Sequence, residues 1–152
     1  MLDIGRVKSY GPEKEVPKLL RLSLGAVNIN AMKQVKKFLD ALRTNDAHVV
    51  VALFSKNAVL LPTLTPKTCK GRKEIFEYFD DLFLPQQPKG LMETAHIKRL
   101  GIGSKSVCGD WVFKVLPPGR TVIKARYSIV FQRKYIFFGK WEIVQMFSCT
   151  RP

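Results

Sequence analysis

The feature that most constrains the fold is a change in hydrophobic period near residue 91. Before it, apolar residues recur at helical spacing in two stretches, 35–42 and 75–83. After it the pattern alternates, and four segments are predicted as β-strands: 94–100, 106–115, 122–132 and 141–149. Helices followed by consecutive strands are typical of an α+β domain, in which an antiparallel sheet wraps over the helices.

Shorter signals mark the remaining elements of the first half. Asn30 is a suitable N-cap for the first helix, and residues 48–54 are predicted to form a second helical piece. Residues 58–61 form a short apolar run, which predicts a buried strand. Gly71 precedes the third helix, whose predicted apolar face includes Leu82.

The length of the chain fits one domain, because 152 residues leave no room for two sizeable cores. Residues 1–27 are predicted to be a basic N-terminal arm, since Gly11, Pro12 and Pro17 interrupt any helix there. Residues 28–152 are predicted to form the domain itself.

Charge is the most unusual part of the composition. The chain has 26 lysines and arginines against 12 aspartates and glutamates, a formal net charge of +14. From residue 82 to residue 152 there are twelve bases and three acids, which gives this part a net charge of +9. Such a surplus attracts phosphates, anionic lipid headgroups or acidic protein faces.

The strand half therefore carries a predicted anion- or partner-binding surface. Its members are basic residues on or beside the predicted strands: Lys98, Arg99, Arg133, Lys134 and Lys140. Phe137 and Phe138 follow two of them at a predicted hairpin, an arrangement that suits base stacking in RNA recognition. RNA is one partner that this surface predicts, and another anionic surface is the alternative.

Cysteine and histidine are sparse. The three cysteines, Cys69, Cys108 and Cys149, form no CxxC pair, and both histidines lie far from them in sequence. The sequence therefore predicts no metal site and no disulfide framework, and it favours a reducing compartment. No apolar run reaches the roughly 20 residues that span a bilayer, so no transmembrane segment is predicted.

Four segments together resemble one family. They are AVLLPTL at 58–64, GRKEIFEYFDDLFLPQQPKG at 71–90, KARYSIVF at 124–131 and GKWEIVQMFSCTRP at 139–152. In order and spacing they resemble the SnoaL-like, nuclear-transport-factor-like family over residues 30–152. This family includes the association domain of calcium/calmodulin-dependent kinase and the iota-class carbonic anhydrases, which the chain resembles most. The resemblance implies an α+β cone, with N-terminal helices packed in a strongly curved antiparallel sheet.

The last strand departs from the family pattern at its centre. In the family this strand usually reads tryptophan, any residue, isoleucine, any residue, three histidines and two serines. Trp141 and Ile143 hold their places, and the next positions are occupied in order by Gln145, Met146, Phe147, Ser148 and Cys149. The pocket has therefore lost all three expected histidines. Because neighbouring residues on a strand alternate faces, either Met146 or Phe147 is expected to fill the cone.

Other pocket positions of the iota-class enzymes are kept. The resemblance places Thr63, Tyr78, Arg126 and its neighbour Tyr127 around this vestigial pocket, and it implies no metal and no cofactor. For Arg126 two roles stay open, namely binding an anion in the cone or pairing with a helix carboxylate such as Glu77.

Loss of the histidines bears directly on catalysis. Hydrating carbon dioxide near neutral pH needs a group that orients water and moves a proton, a task that suits the pKa of histidine. Glutamine, methionine and phenylalanine do not perform it. The sequence thus predicts a pseudoenzyme, that is, a non-catalytic structural or adaptor subunit of a larger assembly.

The predicted assembly is organellar, in the mitochondrial matrix or the plastid stroma, since the iota-class enzymes occur in algal plastids as well as bacteria. It is either a ribonucleoprotein or a respiratory or photosynthetic membrane complex, and the family implies a homodimer through the sheet. The alternative is an enzyme: a divergent metal-free carbonic anhydrase, or a small-molecule lyase or isomerase. An open, polar cone would favour this alternative.

Overall fold

The computed structural model describes residues 18–115, 121–135 and 138–151, with side chains from residue 30 onward. In this part of the chain the α-helices are α1 at Lys18–Arg43, α2 at Ala47–Val51 and α3 at Gly71–Tyr78. The strands are, in chain order, β1 Phe54–Leu61, β2 Cys69–Lys70, β3 Lys89–Met92, β4 His96–Gly101, β5 Ser104–Lys114, β6 Val122–Arg133 and β7 Trp141–Thr150. The predicted α+β class is confirmed.

Helix α1 is longer than the hydrophobic pattern predicts. It begins at Lys18 and crosses the predicted boundary between arm and domain, so Asn30 lies inside the helix and not at its start. Its buried face carries Val35, Phe38 and Leu42, which confirms the helical spacing. Residues 1–17 of the predicted arm lie outside the described residues, so the arm stays a prediction. Within the described residues, no helix is long and apolar enough to cross a bilayer.

The chain enters the sheet earlier than the sequence predicts. Helix α2 ends at Val51, and Phe54 already opens β1, which corrects the predicted helical piece at 48–54. The physical reason is pairing with a distant strand, because the Ile143 backbone N–H donates to the Leu53 carbonyl at 2.8 Å.

The third helix changes its winding after Tyr78. The chain continues as a π-helical turn, Phe79–Phe83, and then as a 3₁₀ turn, Leu84–Gln86. A π turn holds more residues than an α turn, so α-helical spacing no longer predicts which side chains face inward. Both ends of the π turn are buried, whereas Leu82 is 46% exposed, which corrects its predicted place on the apolar face.

The sheet is curved and mixed, with the strand order β2-β1-β7-β6-β5-β3 and with β4 also paired to β5. The described pairings are antiparallel except the one between β1 and β7, which run parallel. This corrects the all-antiparallel prediction, and no hairpin fixes the direction of two strands so far apart in sequence. Strand β3 was missed because a glycine among four residues gives a weak strand signal.

One face of the sheet packs against the helices and forms the core. Buried side chains alternate along β5 and β6: Lys105, Val107, Trp111, Phe113, Ala125, Tyr127, Ile129 and Phe131. Against them α1 places Phe38, whose ring stacks on Trp111 at 5.9 Å and meets Phe54 and Phe79 edge-on. Aromatic rings therefore fill much of the space between the helices and the sheet.

A β-bulge sets which residues of β7 face the core. The register between β6 and β7 shifts at Val144, which is an extra residue on β7. If side chains alternated strictly between the two faces after the buried Ile143, Phe147 would face the core. After the bulge, the inward side chains are those of Met146 and Ser148.

Gly109 on β5 lies where the chain between β3 and β4 crosses the sheet. A Cβ atom here would overlap the backbone carbonyl of Thr94, which is held in place by a hydrogen bond from the Tyr127 hydroxyl. We predict that Gly109→Ala lowers the free energy of unfolding by about 2–3 kcal/mol, measured by urea denaturation. Gly101→Ala is the matched control, since open space surrounds that position for 4 Å, and it should change stability by less than about 0.5 kcal/mol. Equal effects of the two substitutions would contradict this account of Gly109.

Candidate functional site

The inner cavity lies between α1, the π turn and the inner face of the sheet. Its volume is about 20 Å³, which is room for about one water molecule. Six aromatic rings form most of its wall: Phe38, Tyr78, Phe79, Phe83, Trp111 and Phe113. A cavity of this size does not admit an organic substrate.

Three side chains from separate elements form a hydrogen-bonded chain at the cavity wall. Thr63, in the loop after β1, donates from its hydroxyl to the Ser148 Oγ at 2.7 Å. The indole N–H of Trp111 donates to the same oxygen at 3.3 Å, which satisfies a buried donor. Trp111 was not among the predicted site residues, although its alternation with Val107 and Phe113 marks it as inward-facing.

The tyrosines of the predicted pocket are both buried and both stay protonated at neutral pH. Burial raises the pKa of Tyr78, and backbone hydrogen bonds at Leu64 and Thr63 oppose this only in part. Burial likewise raises the pKa of Tyr127, whose hydroxyl donates to the Thr94 carbonyl at 2.9 Å. Tyr78 lines the inner cavity, whereas Tyr127 lies outside its lining. Neither phenol can accept a proton near pH 7.

Met146 and Phe147 take opposite faces of β7. Met146 is buried and lines the inner cavity, so a thioether fills the position of the second family histidine. Phe147 is 40% exposed on the outer face. There it lines an outer groove of about 240 Å³ together with Pro62, Thr63 and Ser148. Thr63 and Ser148 line both spaces, so their hydrogen bond lies where the outer groove adjoins the inner cavity.

The structure corrects the predicted positions of Arg126 and Cys149. Arg126 is exposed, because it lies between the buried Ala125 and Tyr127 on a strand whose side chains alternate. It pairs in register with Cys149 of β7, which lines the outer groove. Neither side chain enters the inner cavity, and in the described residues no ion pair joins Arg126 to Glu77.

The five basic residues of the predicted anion-binding surface lie at or near one end of the sheet, around the turn between β4 and β5 and the connection between β6 and β7. Four of them are exposed: Lys98, Arg99, Lys134 and Lys140. The Arg133 guanidinium lies over the Trp141 ring at 5.0 Å. The Lys140 ammonium donates to the Ala52 carbonyl at 3.2 Å. Phe137, half of the predicted stacking pair, lies outside the described residues.

A buried lysine at the same end of the sheet was not predicted. Lys105 lies on the inner face of β5 with only 3% of its surface exposed, and its ammonium lies 3.9 Å from the centre of the Trp141 ring. Burial, together with the positive charge of Arg133, lowers its pKa to about 8. Sequence reasoning missed it because a lysine at an inward strand position contradicts the apolar alternation.

Neither histidine replaces the lost pocket histidines. The His48 ring on α2 lies 4.7 Å from the Phe76 ring, and His96 is exposed on β4. Across the described part of the chain, no three His, Cys, Asp or Glu side chains are grouped to hold a metal ion. The three cysteines are free thiols, and burial raises the pKa of Cys69.

Comparison with known proteins identifies the family. The family model of the calcium/calmodulin dependent protein kinase II association domain matches residues 28–152. No curated protein sequence matches the chain at a significant level.

Solved structures share the fold across most of this chain. A Xanthomonas campestris protein assigned as such an association domain is 24% identical, with a TM-score of 0.71, and the match covers 97% of this chain and 96% of that one. The association domain of the C. elegans kinase is 17% identical, with a TM-score of 0.68 and coverage of 83% and 97%. A hexachlorocyclohexane dehydrochlorinase from Novosphingobium barchaimii is 12% identical, with a TM-score of 0.69 and coverage of 87% and 91%. The predicted nuclear-transport-factor-like cone is thus confirmed.

Ser148 accepts both hydrogen bonds at the cavity wall, so removing its hydroxyl is predicted to destabilise the fold. We expect Ser148→Ala to lower the free energy of unfolding by about 1–3 kcal/mol, because the buried Trp111 indole N–H loses its acceptor. Ser128→Ala is the control, since Ser128 lies on the outer face of the adjacent strand. Chemical denaturation of both variants measures the difference, and a loss in Ser128→Ala as large as that in Ser148→Ala would rule out the explanation.

Proposed function

Because residues 28–152 belong to the calcium/calmodulin dependent protein kinase II association domain family, we propose that this chain is a non-catalytic assembly subunit. The observation that carries the proposal is the small volume of the inner cavity, about 20 Å³, which has room for about one water molecule and not for an organic substrate. Met146 and aromatic rings fill the cone at the place where the resembled enzymes carry histidines. The cone therefore serves as a core and the outside of the domain serves for contacts.

The proposed contact surface for a second copy is the outer face of β1, β7 and β6. Phe147 lies at its centre, flanked in register by Leu61 of β1 and Ser128 of β6. Val59 and Val130 lie on the same face with partly exposed side chains. A symmetric pair of chains would bury this apolar surface on both subunits at once.

The proposal extends to membership of a larger organellar assembly, in the mitochondrial matrix or the plastid stroma. Its support is the resemblance to enzymes of algal plastids, the net charge of +14 and three free thiols, which suit a reducing compartment. Gentle purification from the source organism tests it through the native mass and the co-purifying components. A large particle containing RNA or many subunits supports the larger assembly, and a free dimer with nothing bound counts against it.

A second candidate function is enzymatic, and the outer groove is the observation that favours it. Two hydroxyls, those of Thr63 and Ser148, line this groove of about 240 Å³ beside Phe147 and Cys149. A divergent metal-free carbonic anhydrase, lyase or isomerase would use them with Tyr78, which lines the adjoining inner cavity. The chemistry available is weak, because hydroxyls and a tyrosine whose pKa is raised by burial supply no base near neutral pH.

The contact surface predicts that one substitution separates the subunits. We expect the wild-type chain to sediment as a dimer or larger species, and Phe147→Glu to sediment as a folded monomer, because water solvates the new charge at this exposed position whereas a partner subunit would bury it. Leu82→Glu is the matched control, with similar exposure on the helical side, and should keep the wild-type mass. A monomeric wild type, or a Phe147→Glu variant of unchanged mass, counts against self-assembly through this face.

The small inner cavity and the loss of the pocket histidines predict that the chain has no carbonic anhydrase activity. In a stopped-flow assay of carbon dioxide hydration, the wild-type chain should leave the uncatalysed rate unchanged, since no described pocket group moves a proton near pH 7. Tyr78→Phe should give the same trace. An acceleration by the wild type that Tyr78→Phe abolishes would overturn the non-catalytic proposal in favour of the enzyme.

A further inference from the structure

Two hairpin tips meet at one end of the sheet. The turn between β4 and β5 contains Ile102, and the connection between β6 and β7 contains Tyr135 and Phe138. The Arg133 backbone N–H donates to the Gly103 carbonyl at 2.8 Å, which joins the two tips directly. We name this region the double tip, and define it as residues 98–103 together with 133–135 and 138–140.

The double tip carries the four most exposed large hydrophobic side chains of the described residues. They are Leu100 at 50% exposure, Ile102 at 62%, Tyr135 at 53% and Phe138 at 66%. Isolated exposed apolar residues are normal on a soluble protein, but four on adjoining tips form a contact surface. The fold itself does not need them, because none is part of the hydrophobic core.

The aromatic pair at the second tip is held in position. The rings of Tyr135 and Phe138 stack with their centres 5.1 Å apart. Their backbones exchange two hydrogen bonds of 3.2 Å, and Gly139 follows with a φ of 102°, a conformation that favours glycine. The two exposed rings are therefore held against each other at this tip.

The charge around the double tip has one sign. Residues 96–105 and 131–140 contain six lysines and arginines and no aspartate or glutamate. The acids of the strand half lie outside these two segments and are paired with arginines: Glu93 and Asp110 with Arg151 at 2.9 and 3.6 Å, and Glu142, which lies two residues beyond the double tip, with Arg72 at 3.7 Å. The exposed Lys98, Arg99 and Lys134 therefore present positive charge that no acidic residue of these two segments offsets.

Apolar side chains at the end of two turns, surrounded by cations, match the surface of an anionic bilayer. Aliphatic and aromatic residues enter the boundary between headgroups and acyl chains, while lysine and arginine bind the anionic headgroups. RNA fits less well. Two of the four apolar residues are aliphatic and offer no ring, and the two aromatic rings already cover one face of each other.

We propose that this chain binds the surface of anionic phospholipid membranes through the double tip, with Ile102 and Phe138 inserted between lipid headgroups. Exposed Lys98, Arg99 and Lys134 bind the headgroup phosphates around them. This inference does not depend on self-assembly through β7, because Phe147 lies about 20 Å along that strand from Trp141 at its tip end. Loss of one function is expected to leave the other intact.

Vesicle flotation of the full chain tests the proposal. We expect binding to phosphatidylcholine vesicles that contain about 30 mol% phosphatidylserine, and none to pure phosphatidylcholine. The double variant Ile102→Ser/Phe138→Ser should bind at least about tenfold more weakly, and so should Arg99→Glu/Lys134→Glu. The control Leu82→Ser/Leu91→Ser, at exposed apolar positions outside the double tip, should bind like the wild type. Circular dichroism melting shows whether each variant is folded. The substituted side chains are exposed, so none of these substitutions is expected to unfold the protein.

A fluorescence reporter tests insertion separately from electrostatic attraction. With Phe138→Trp, phosphatidylserine vesicles should shift the tryptophan emission to shorter wavelength, because the indole leaves water. Leu82→Trp is the matched reporter and should show no shift beyond that of the native tryptophans.

Several outcomes would overturn the proposal. One is absence of binding to the anionic vesicles, and another is binding that the Ile102→Ser/Phe138→Ser variant retains, since charge alone would then explain it. A third is a single-stranded RNA oligonucleotide that displaces the wild type from vesicles and whose own binding is lost in Arg99→Glu/Lys134→Glu but kept in Ile102→Ser/Phe138→Ser. That result would assign the basic surface to RNA.

Discussion

Trp111 joins the parts of the molecule on which its function depends. Its ring stacks on Phe38 of α1 at 5.9 Å and on Tyr127 of β6 at 4.4 Å. Its indole N–H requires an acceptor because it is buried, and Ser148 of β7 supplies one. Ser148 in turn accepts from Thr63, which holds the loop after β1 against the sheet. The residue that packs helix against sheet is therefore also linked, through Ser148, to the loop that lines the inner cavity.

The sequence predicted the long elements well and the short ones poorly, for physical reasons. Strands β5, β6 and β7 lie within two residues of their predicted bounds, because long alternating segments with one buried face carry a clear period. The start of β1 was misplaced and its parallel direction was missed, since both depend on pairing with β7, almost ninety residues away. Helix α1 begins at Lys18, well before the predicted apolar stretch at 35–42. The hydrophobic period of that stretch does not predict how far the helix extends before it.

The candidate site shows what a family resemblance leaves undetermined. The resemblance assigned both Arg126 and Tyr127 to the pocket, but adjacent residues on a regular strand cannot both face inward. Tyr127 is buried, so Arg126 is exposed. On β7 the bulge at Val144 determines which side chains face the core, because it turns Met146 inward and Phe147 outward. No local sequence signal marks that bulge, since it arises from the register with β6.

Because the inner cavity is too small for an organic substrate, both proposed binding surfaces lie on the outside of the domain. The two surfaces differ in chemistry. The outer face exposes Phe147 beside the partly exposed Val59 and Val130 and is proposed to bind a second copy, whereas the double tip combines exposed apolar residues with cations. Behind that tip, Lys105 and Arg133 both rest on the Trp141 ring, so positive charge is also held within the fold. A buried lysine whose pKa is lowered to about 8 costs stability at neutral pH, because it is still mostly charged there and burial removes water from that charge. Because the two surfaces lie apart along β7, a dimer formed through one leaves both copies of the other free.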